Sequence, residues 1–146
     1  MKLINPFSKT YLFFILPLIL VMGLDLIFTL IGQSQDYWRN FQFFNEANPL
    51  AGFLLSHHPA LFVLIFSAYL ILALFLVVNL KRPLNLIFYI FFFLIHSWGS
   101  SSWLSELFFS SRADYSGGWY LSIGYFIFIS LISGLSLSFW LKNRNL

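Results

Sequence analysis

The chain contains no cysteine and very little charge. Without cysteine, disulfides, covalent haem attachment and thiolate metal sites are excluded. Only 9% of the 146 residues are charged, whereas an average soluble domain carries about 25%. Apolar residues dominate instead, since 60% of the chain is hydrophobic and 22% is aromatic. A chain of this length cannot bury so much apolar surface inside itself, so its surroundings are lipid. The composition excludes a soluble enzyme, a disordered regulator and a nucleic-acid-binding module.

Four apolar stretches are long enough to cross a bilayer, which takes about 20 helical residues. These stretches cover residues 11–32, 60–80, 84–107 and 119–141. Pro59 and Pro83 precede the second and third stretches, and proline suits the first turn of a helix. The sequence therefore predicts a single all-α, polytopic transmembrane domain over residues 1–146, folded as an antiparallel four-helix bundle. The first stretch resembles a signal peptide, but no cleavage site precedes Gly23, so we expect it to be retained.

Basic residues are concentrated at one end of the predicted bundle. Of the eight Lys and Arg residues, six fall on one side of a four-span arrangement. These six are Lys2, Lys9, Lys81, Arg82, Lys142 and Arg144. The other side carries Arg39, Arg112 and Asp114, with Trp38, Trp98, Trp103 and Trp119 as an aromatic belt. Because basic loops stay in the cytoplasm, we expect a multi-pass protein of the cell's inner membrane with both termini cytoplasmic.

The connection between the first two spans is too long and too apolar for a plain loop. Asn48 and Pro49 fit the N-cap and the first turn of a helix that continues to Ser56. Pro59 would end or bend that helix. Residues 36–58 are therefore expected at the outer membrane interface. They contain either a helix lying along the membrane surface or a bent start to the second span.

Two ionisable side chains, Asp25 and His96, lie deep inside the predicted spans. Asp25 lies roughly 21 Å from the cytoplasmic start of the first span, and His96 lies roughly 18 Å from that of the third. Their similar depth in the outer half predicts a contact between them. An intramembrane acid is a candidate functional residue, and an Asp–His pair can orient a general base, complete a metal site or bind a pigment or other cofactor. The alternative is a structural hydrogen bond between helices.

A wider set of possible metal ligands lies toward the same side of the membrane. The set comprises Asp25, Glu46, His57, His58, His96 and Glu106. Their nitrogen and oxygen atoms suit Zn, Mn or Fe, but their spacing matches no metal motif. The adjacent His57 and His58 would point about 100° apart on a helix. The alternative is that these side chains contact water or lipid headgroups, and no particular cofactor follows from the sequence.

Five residues in the first half of the chain form a pattern. They are Asp25, Thr29, Glu46, Asn48 and Pro49. The pattern resembles that of a family of small uncharacterised prokaryotic integral membrane proteins, in which Asp-x-x-x-Thr in the first span precedes Glu-x-Asn-Pro at the next helix. The similarity covers residues 21–80, with residues 33–45 as a longer insert. The resemblance implies a compact multi-span protein with Asp25 and Glu46 in one site, and it implies no activity.

These features lead to two main hypotheses for the function. The preferred one is a non-catalytic subunit of a larger membrane complex, in contact with lipids, pigments or cofactors and with other integral membrane subunits. It follows from the absence of a catalytic motif and from the large aromatic surface. The alternative is a small intramembrane enzyme, a metal-assisted hydrolase or a lipid-modifying protein, with Asp25, Glu46 and His96 at an outward-facing site. An oligomeric transporter ranks last because the inner halves of the spans carry few polar groups.

Overall fold

Helices make up nearly all of the protein in a computed structural model that describes residues 9–109 and 115–143. In chain order they are α1 (Lys9–Ile31), α2 (Gln35–Arg39), a 3₁₀ helix (Phe41–Phe43), α3 (Pro49–His57), α4 (Pro59–Asn79), α5 (Leu84–Phe109) and α6 (Tyr115–Asn143). No β-strand occurs within these two ranges. The predicted all-α class is confirmed.

Four of the helices are long and apolar enough to cross a membrane. The candidate spans are Leu12–Ile31, Pro59–Asn79, Leu84–Phe108 and Gly118–Lys142. The 21 residues of α4 extend about 31 Å at 1.5 Å per residue, which matches a hydrocarbon core of about 30 Å. The predicted four long apolar helices are thus confirmed. Four residues used to predict the orientation lie outside the described residues, namely Lys2, Arg112, Asp114 and Arg144.

Helices α1 and α5 form the centre of the helix assembly, because each contacts the other and both α4 and α6. Phe14 on α1 is fully buried and stacks against Tyr89 and Trp140, with ring centroids 4.8 and 4.4 Å away. The Arg82 guanidinium lies over the Trp140 ring, 4.5 Å from its centroid. This contact joins the α4–α5 turn to the end of α6. We call this end of the assembly, which carries Lys81, Arg82 and Lys142, the basic end.

The α3 helix forms as the sequence predicts. The Asn48 side chain accepts hydrogen bonds from the backbone N–H groups of Leu50 and Ala51, and Pro49 occupies the first turn. The helix ends at His57, and the next residue, His58, has an extended backbone. The Nδ1 atom of His58 accepts from the N–H of Ala60 and caps α4. The helix before Pro59 is therefore a separate short element.

The insert between α1 and α3 folds back onto α3. Tyr37 on α2 is fully buried, and its hydroxyl donates to the backbone carbonyl of Leu55 at 3.2 Å. Burial raises the pKa of Tyr37, so the hydroxyl keeps its proton and remains a donor. Gln42 in the 3₁₀ helix donates to the carbonyl of Ser56 at 2.9 Å. These bonds hold the connection close to the helices that surround the site described below.

Apolar side chains also cover much of the outer surface. Only 17% of the α4 span and 6% of the α6 span are buried within the chain. Exposed residues on α6 include Ile127, Phe128, Leu131 and Leu135. Such a surface needs lipid or other membrane helices around it. The exposure agrees with the expectation from composition that one chain cannot bury its own apolar residues.

Candidate functional site

A buried imidazole links three of the long helices. His96 on α5 is 5% exposed, and its Nδ1 lies 2.6 Å from Oδ2 of Asp25 on α1. Its Nε2 lies 3.1 Å from the hydroxyl oxygen of Tyr69 on α4. With the proton on Nδ1, the imidazole donates to the carboxylate and its Nε2 accepts from the Tyr69 hydroxyl. The predicted contact between Asp25 and His96 is confirmed, and Tyr69 extends it to three residues.

Gly99 makes room for the Asp25 carboxylate. A Cβ atom at position 99 would lie 2.5 Å from Oδ1 of Asp25, which is closer than such atoms approach one another. Gly99 lies three residues after His96, so the two residues share a face of α5. The same face therefore offers the carboxylate a nitrogen partner and the space to reach it.

Aromatic and hydroxyl groups hold His96 in place. The Phe66 ring meets the imidazole edge-on, with centroids 5.6 Å apart. The fully buried Ser100 donates from Oγ to the backbone carbonyl of His96, and its Oγ also lies 2.7 Å from the hydroxyl of Tyr125. Because Tyr125 belongs to α6, all four long helices contribute to the surroundings of the imidazole.

The Asp25–His96–Tyr69 chain borders a cavity of about 590 Å³ between α1, α3, α4 and α5. Four of the five pattern residues line this cavity, namely Asp25, Thr29, Glu46 and Asn48. Pro49 instead begins the helix that forms one wall. No Lys or Arg is among the described residues that line the cavity. Its polar surface therefore consists of carboxyl, imidazole, hydroxyl, amide and indole groups.

Hydrogen bonds of Asn45, within the connection, hold the neighbouring Glu46 at the cavity. The Gln33 side chain, just after α1, donates to the backbone carbonyl of Asn45 at 3.0 Å and accepts from the Asn45 N–H at 2.9 Å. The Asn45 side chain donates to Oε1 of Glu106 on α5 at 2.7 Å. Asn45, the residue before Glu46, is thus hydrogen-bonded to Gln33 just after α1 and to Glu106 on α5. These bonds fix where the Glu46 side chain enters the cavity.

The environment of Glu46 favours its protonated form. Burial is the main cause and raises the pKa of the carboxyl above its ordinary value of 4.5. The negative charge of Asp25 also raises this pKa, while hydrogen bonds from the Asn48 N–H, at 2.8 Å, and from Trp103 lower it. The cavity therefore holds two carboxyl groups in different settings. One is paired with an imidazole, and the other has a raised pKa.

The other three predicted metal-ligand candidates do not line the cavity. The Nδ1 atom of His57 lies 2.8 Å from the carbonyl oxygen of Phe53, His58 caps α4, and Glu106 accepts from Asn45. Among residues 9–109 and 115–143, no three His, Asp or Glu side chains come together as a metal ion requires. The structure thus brings Asp25, Glu46 and His96 to one cavity and leaves the other three candidates at separate positions.

Several contributors to the site are not evident from the sequence. Tyr69 is the clearest, and its signal is a phenol hydroxyl group in the middle of a mostly apolar helix, two residues after Ser67. Gly99 could be found from its three-residue spacing to His96 on the predicted helix. Trp103, which we assigned to an aromatic belt, also lines the cavity. Nothing in the sequence indicates the pairing of Gln33 with Asn45.

Fold and site together define a class of protein. Within the described residues it is a helical protein with four helices able to cross a membrane and a cavity bordered by an Asp–His–Tyr chain centred on the buried His96. Compared with known protein families, with characterised proteins and with solved structures, the chain matches none. The geometry of the cavity is therefore the basis for assigning a function.

Proposed function

We propose that this is a multi-pass membrane protein that binds a small polar group in the cavity and exchanges a proton with it through Tyr69, His96 and Asp25. One observation carries the proposal. His96 has one ring nitrogen on a carboxylate and the other on a hydroxyl group that borders the cavity. In enzymes, a carboxylate that orients an imidazole toward a hydroxyl group makes the imidazole a general base.

The two carboxyl groups divide the acid and base roles. When the Tyr69 hydroxyl takes a proton from the bound group and passes its own proton to His96 Nε2, the Asp25 carboxylate stabilises the resulting imidazolium, so the added charge is paired at once. Glu46 sits across the same cavity with a raised pKa and supplies a proton or a hydrogen bond to the bound group. The low dielectric between apolar helices strengthens each of these interactions. This chemistry corresponds to the second of the two hypotheses, the intramembrane enzyme. The proposal does not invoke a metal ion.

The substitution Tyr69→Phe tests the proposal because it removes a single oxygen atom. Tyr89→Phe is a matched control, since the buried Tyr89 hydroxyl lies 3.0 Å from Ser133 Oγ and outside the cavity lining. Each protein is purified from its native membranes, and its bound small molecules are identified by mass spectrometry. We expect a compound that the wild type and Tyr89→Phe retain and that Tyr69→Phe retains about tenfold less, the effect of one lost hydrogen bond to a polarised partner.

A second measurement addresses the proton. ¹⁵N NMR of the His96 ring reports which nitrogen carries hydrogen, and we expect adding the compound to change the protonation of Nε2. Equal retention of all small molecules by Tyr69→Phe and Tyr89→Phe contradicts the proposed function.

A second function, that of a subunit in a larger membrane complex, is supported by the surface of α6. Very little of its span is buried within the chain. A Cβ atom at Gly124 or Gly134 would meet nothing within 4 Å, and membrane helices pack most closely at such small residues. On this proposal, other integral membrane subunits cover part of α6 and lipids cover the rest. The two functions are compatible, because no described residue of α6 lines the cavity.

We also propose an antiparallel bundle in the inner membrane with both termini in the cytoplasm. The support is the position of Lys81 and Arg82 in the α4–α5 turn and of Lys142 in the last turn of α6. The chain has no cysteine, so single cysteines can be introduced and labelled from one side of the membrane. A membrane-impermeant thiol reagent added outside intact cells should label Arg39→Cys and not Lys81→Cys. Labelling of Lys81→Cys and not of Arg39→Cys would show that the protein has the opposite orientation in the membrane.

A further inference from the structure

The cavity is lined by two sets of side chains, one polar and one apolar, which we call its polar wall and its apolar wall. The polar wall carries Asp25, Glu46 and His96 from α1, the connection and α5. The apolar wall is formed by Leu50, Leu54, Phe62, Ile65, Phe66 and Ile95. A ligand that fills this space must satisfy both the hydrogen-bonding groups and the apolar groups of the lining. The lining therefore suits a molecule with a polar head and an apolar tail.

The apolar wall reaches the outer surface of the chain. Leu50 on α3, Ile65 on α4 and Ile95 on α5 all line the cavity and are 66%, 42% and 46% exposed. Phe91 and Trp98, on the same side of the cavity, are more than half exposed. Side chains that belong both to the lining and to the surface mark an opening. Because Ile65 and Ile95 lie on α4 and α5, which are candidate membrane spans, we expect this part of the opening to face lipid.

The volume of the cavity fits a head group together with part of a tail. About 590 Å³ is far more than a single water needs, and it falls in the range of small-molecule sites. The remainder of an apolar tail would stay among the lipids beyond Ile65 and Ile95. A ligand bound in this way leaves little apolar surface in contact with water at any stage of entry.

The charges on the polar wall select the head group. Two carboxyl groups line it, and no described lining residue is a Lys or Arg. A phosphate or carboxylate head would place a further negative charge beside the Asp25 carboxylate, and no Lys or Arg among the described lining residues would pair with it. An amine or a hydroxyl group instead donates hydrogen bonds to carboxylate oxygens.

From this geometry we infer that the ligand is a single-tailed membrane amphiphile whose head donates hydrogen bonds and carries no negative charge, and that it enters from the bilayer between α4 and α5. The inference rests on the proposed function, because it names the ligand class of the same site. The inference also gives a role to the side chains around the cavity. Ile65 and Ile95 form the entrance, and Asp25 and Glu46 bind the head group.

Ligands with one tail and different heads test this inference. The protein is placed in phosphatidylcholine nanodiscs, and native mass spectrometry measures the binding of hexadecylamine, hexadecanol and hexadecanoic acid. Ethanolamine, which has an amine head and no long tail, tests entry from water. We expect the amine and the alcohol to bind at least about tenfold more tightly than the acid, and ethanolamine not to bind.

Two matched variants test the entrance. Ile95→Trp adds bulk at the opening, whereas Ile90→Trp adds the same bulk at an exposed position of α5 outside the cavity lining. We expect Ile95→Trp to reduce hexadecylamine binding about tenfold and Ile90→Trp to leave it unchanged. Tighter binding of the acid, binding of ethanolamine, or equal effects of the two variants would overturn the inference.

The outcomes separate this inference from the function on which it rests. Suppose that none of the amphiphiles binds, but that the wild type still retains a compound whose binding depends on Tyr69. The proposed ligand class is then wrong, and the proposed acid–base site is supported. If no compound depends on Tyr69 and no amphiphile binds, both proposals fail.

Discussion

At the scale of single residues, the charge state of the Glu46 carboxyl is coupled to folding. Its pKa in the folded protein lies above 4.5, mainly because the carboxyl is buried. The folded state therefore binds this proton more tightly than the unfolded state does. Stability is highest when the group is protonated in both states, and it falls as the pH rises from about 4.5 through the folded pKa. At pH values above the folded pKa, the ionised carboxylate lowers the free energy of unfolding by a constant amount.

The substitution Glu46→Gln isolates this contribution. Glutamine keeps an oxygen that accepts from the Asn48 N–H and cannot ionise. We expect the variant to unfold at a temperature a few degrees higher than the wild type at about pH 8, and at the same temperature at about pH 4. The measurement is thermal unfolding in detergent micelles across that range. A difference in unfolding temperature that is constant with pH would show that charge is not its cause.

The sequence predicts the residues of the site unevenly, and the reason is physical. Asp25 and His96 must find partners because an unpaired ionisable group in lipid is costly, so their similar depth is enough to predict the contact. Tyr69 carries a weaker signal, since a tyrosine is also at home against lipid or at an interface. The Gln33–Asn45 pair depends on the path of an irregular backbone, which no periodicity encodes.

At the scale of secondary-structure elements, the contact between α1 and α5 decides whether the site can form. Gly99 allows the Asp25 carboxylate to lie against α5, and a Cβ atom there would overlap it. We expect Gly99→Ala to destabilise the protein by about 1–3 kcal/mol, because the carboxylate or a whole helix must move. The same change should weaken the bond from His96 to Asp25, which ¹⁵N and ¹H NMR of the imidazole would detect.

Gly23 on α1 is the control for this prediction. A Cβ atom at position 23 would meet nothing within 4 Å, so Gly23→Ala introduces no overlap. Alanine also favours a helix more than glycine does, by up to about 1 kcal/mol. We therefore expect Gly23→Ala to be neutral or stabilising and to leave the imidazole signals unchanged. If both alanine variants had the same effect, the close approach at Gly99 would not matter.

The elements themselves are predictable to different degrees. The four long helices follow from hydropathy, because a backbone in lipid must satisfy its own hydrogen bonds. The α3 helix follows from Asn48 and Pro49, whose roles at a helix start are local. The α2 and 3₁₀ helices are too short for a periodic signal. Their positions depend on Tyr37, which packs against α3 and hydrogen-bonds to its backbone.

At the scale of the whole molecule, the distribution of buried surface is uneven. The core lies between α1, α4, α5 and α6 at the basic end, while most of α6 faces outward. An outward apolar face can be covered by lipid or by another membrane helix. Its apolar character therefore does not show which of the two covers it. The open positions at Gly124 and Gly134 would allow another membrane helix to pack closely there, which is one support for the proposed partner.

The size of the native particle tests whether α6 has a partner. Untagged protein extracted from its own membranes in mild detergent is separated on a native gel, and each band is identified by mass spectrometry. We expect a particle well above the 17.1 kDa chain with its micelle, and a shift to the smaller size in Gly134→Leu. Ile90→Phe, which adds apolar volume on the exposed face of α5, should leave the large particle intact. A wild-type protein that migrates alone would remove the subunit hypothesis. The function would then have to come from the cavity, where Asp25, His96 and Tyr69 are joined within a single chain.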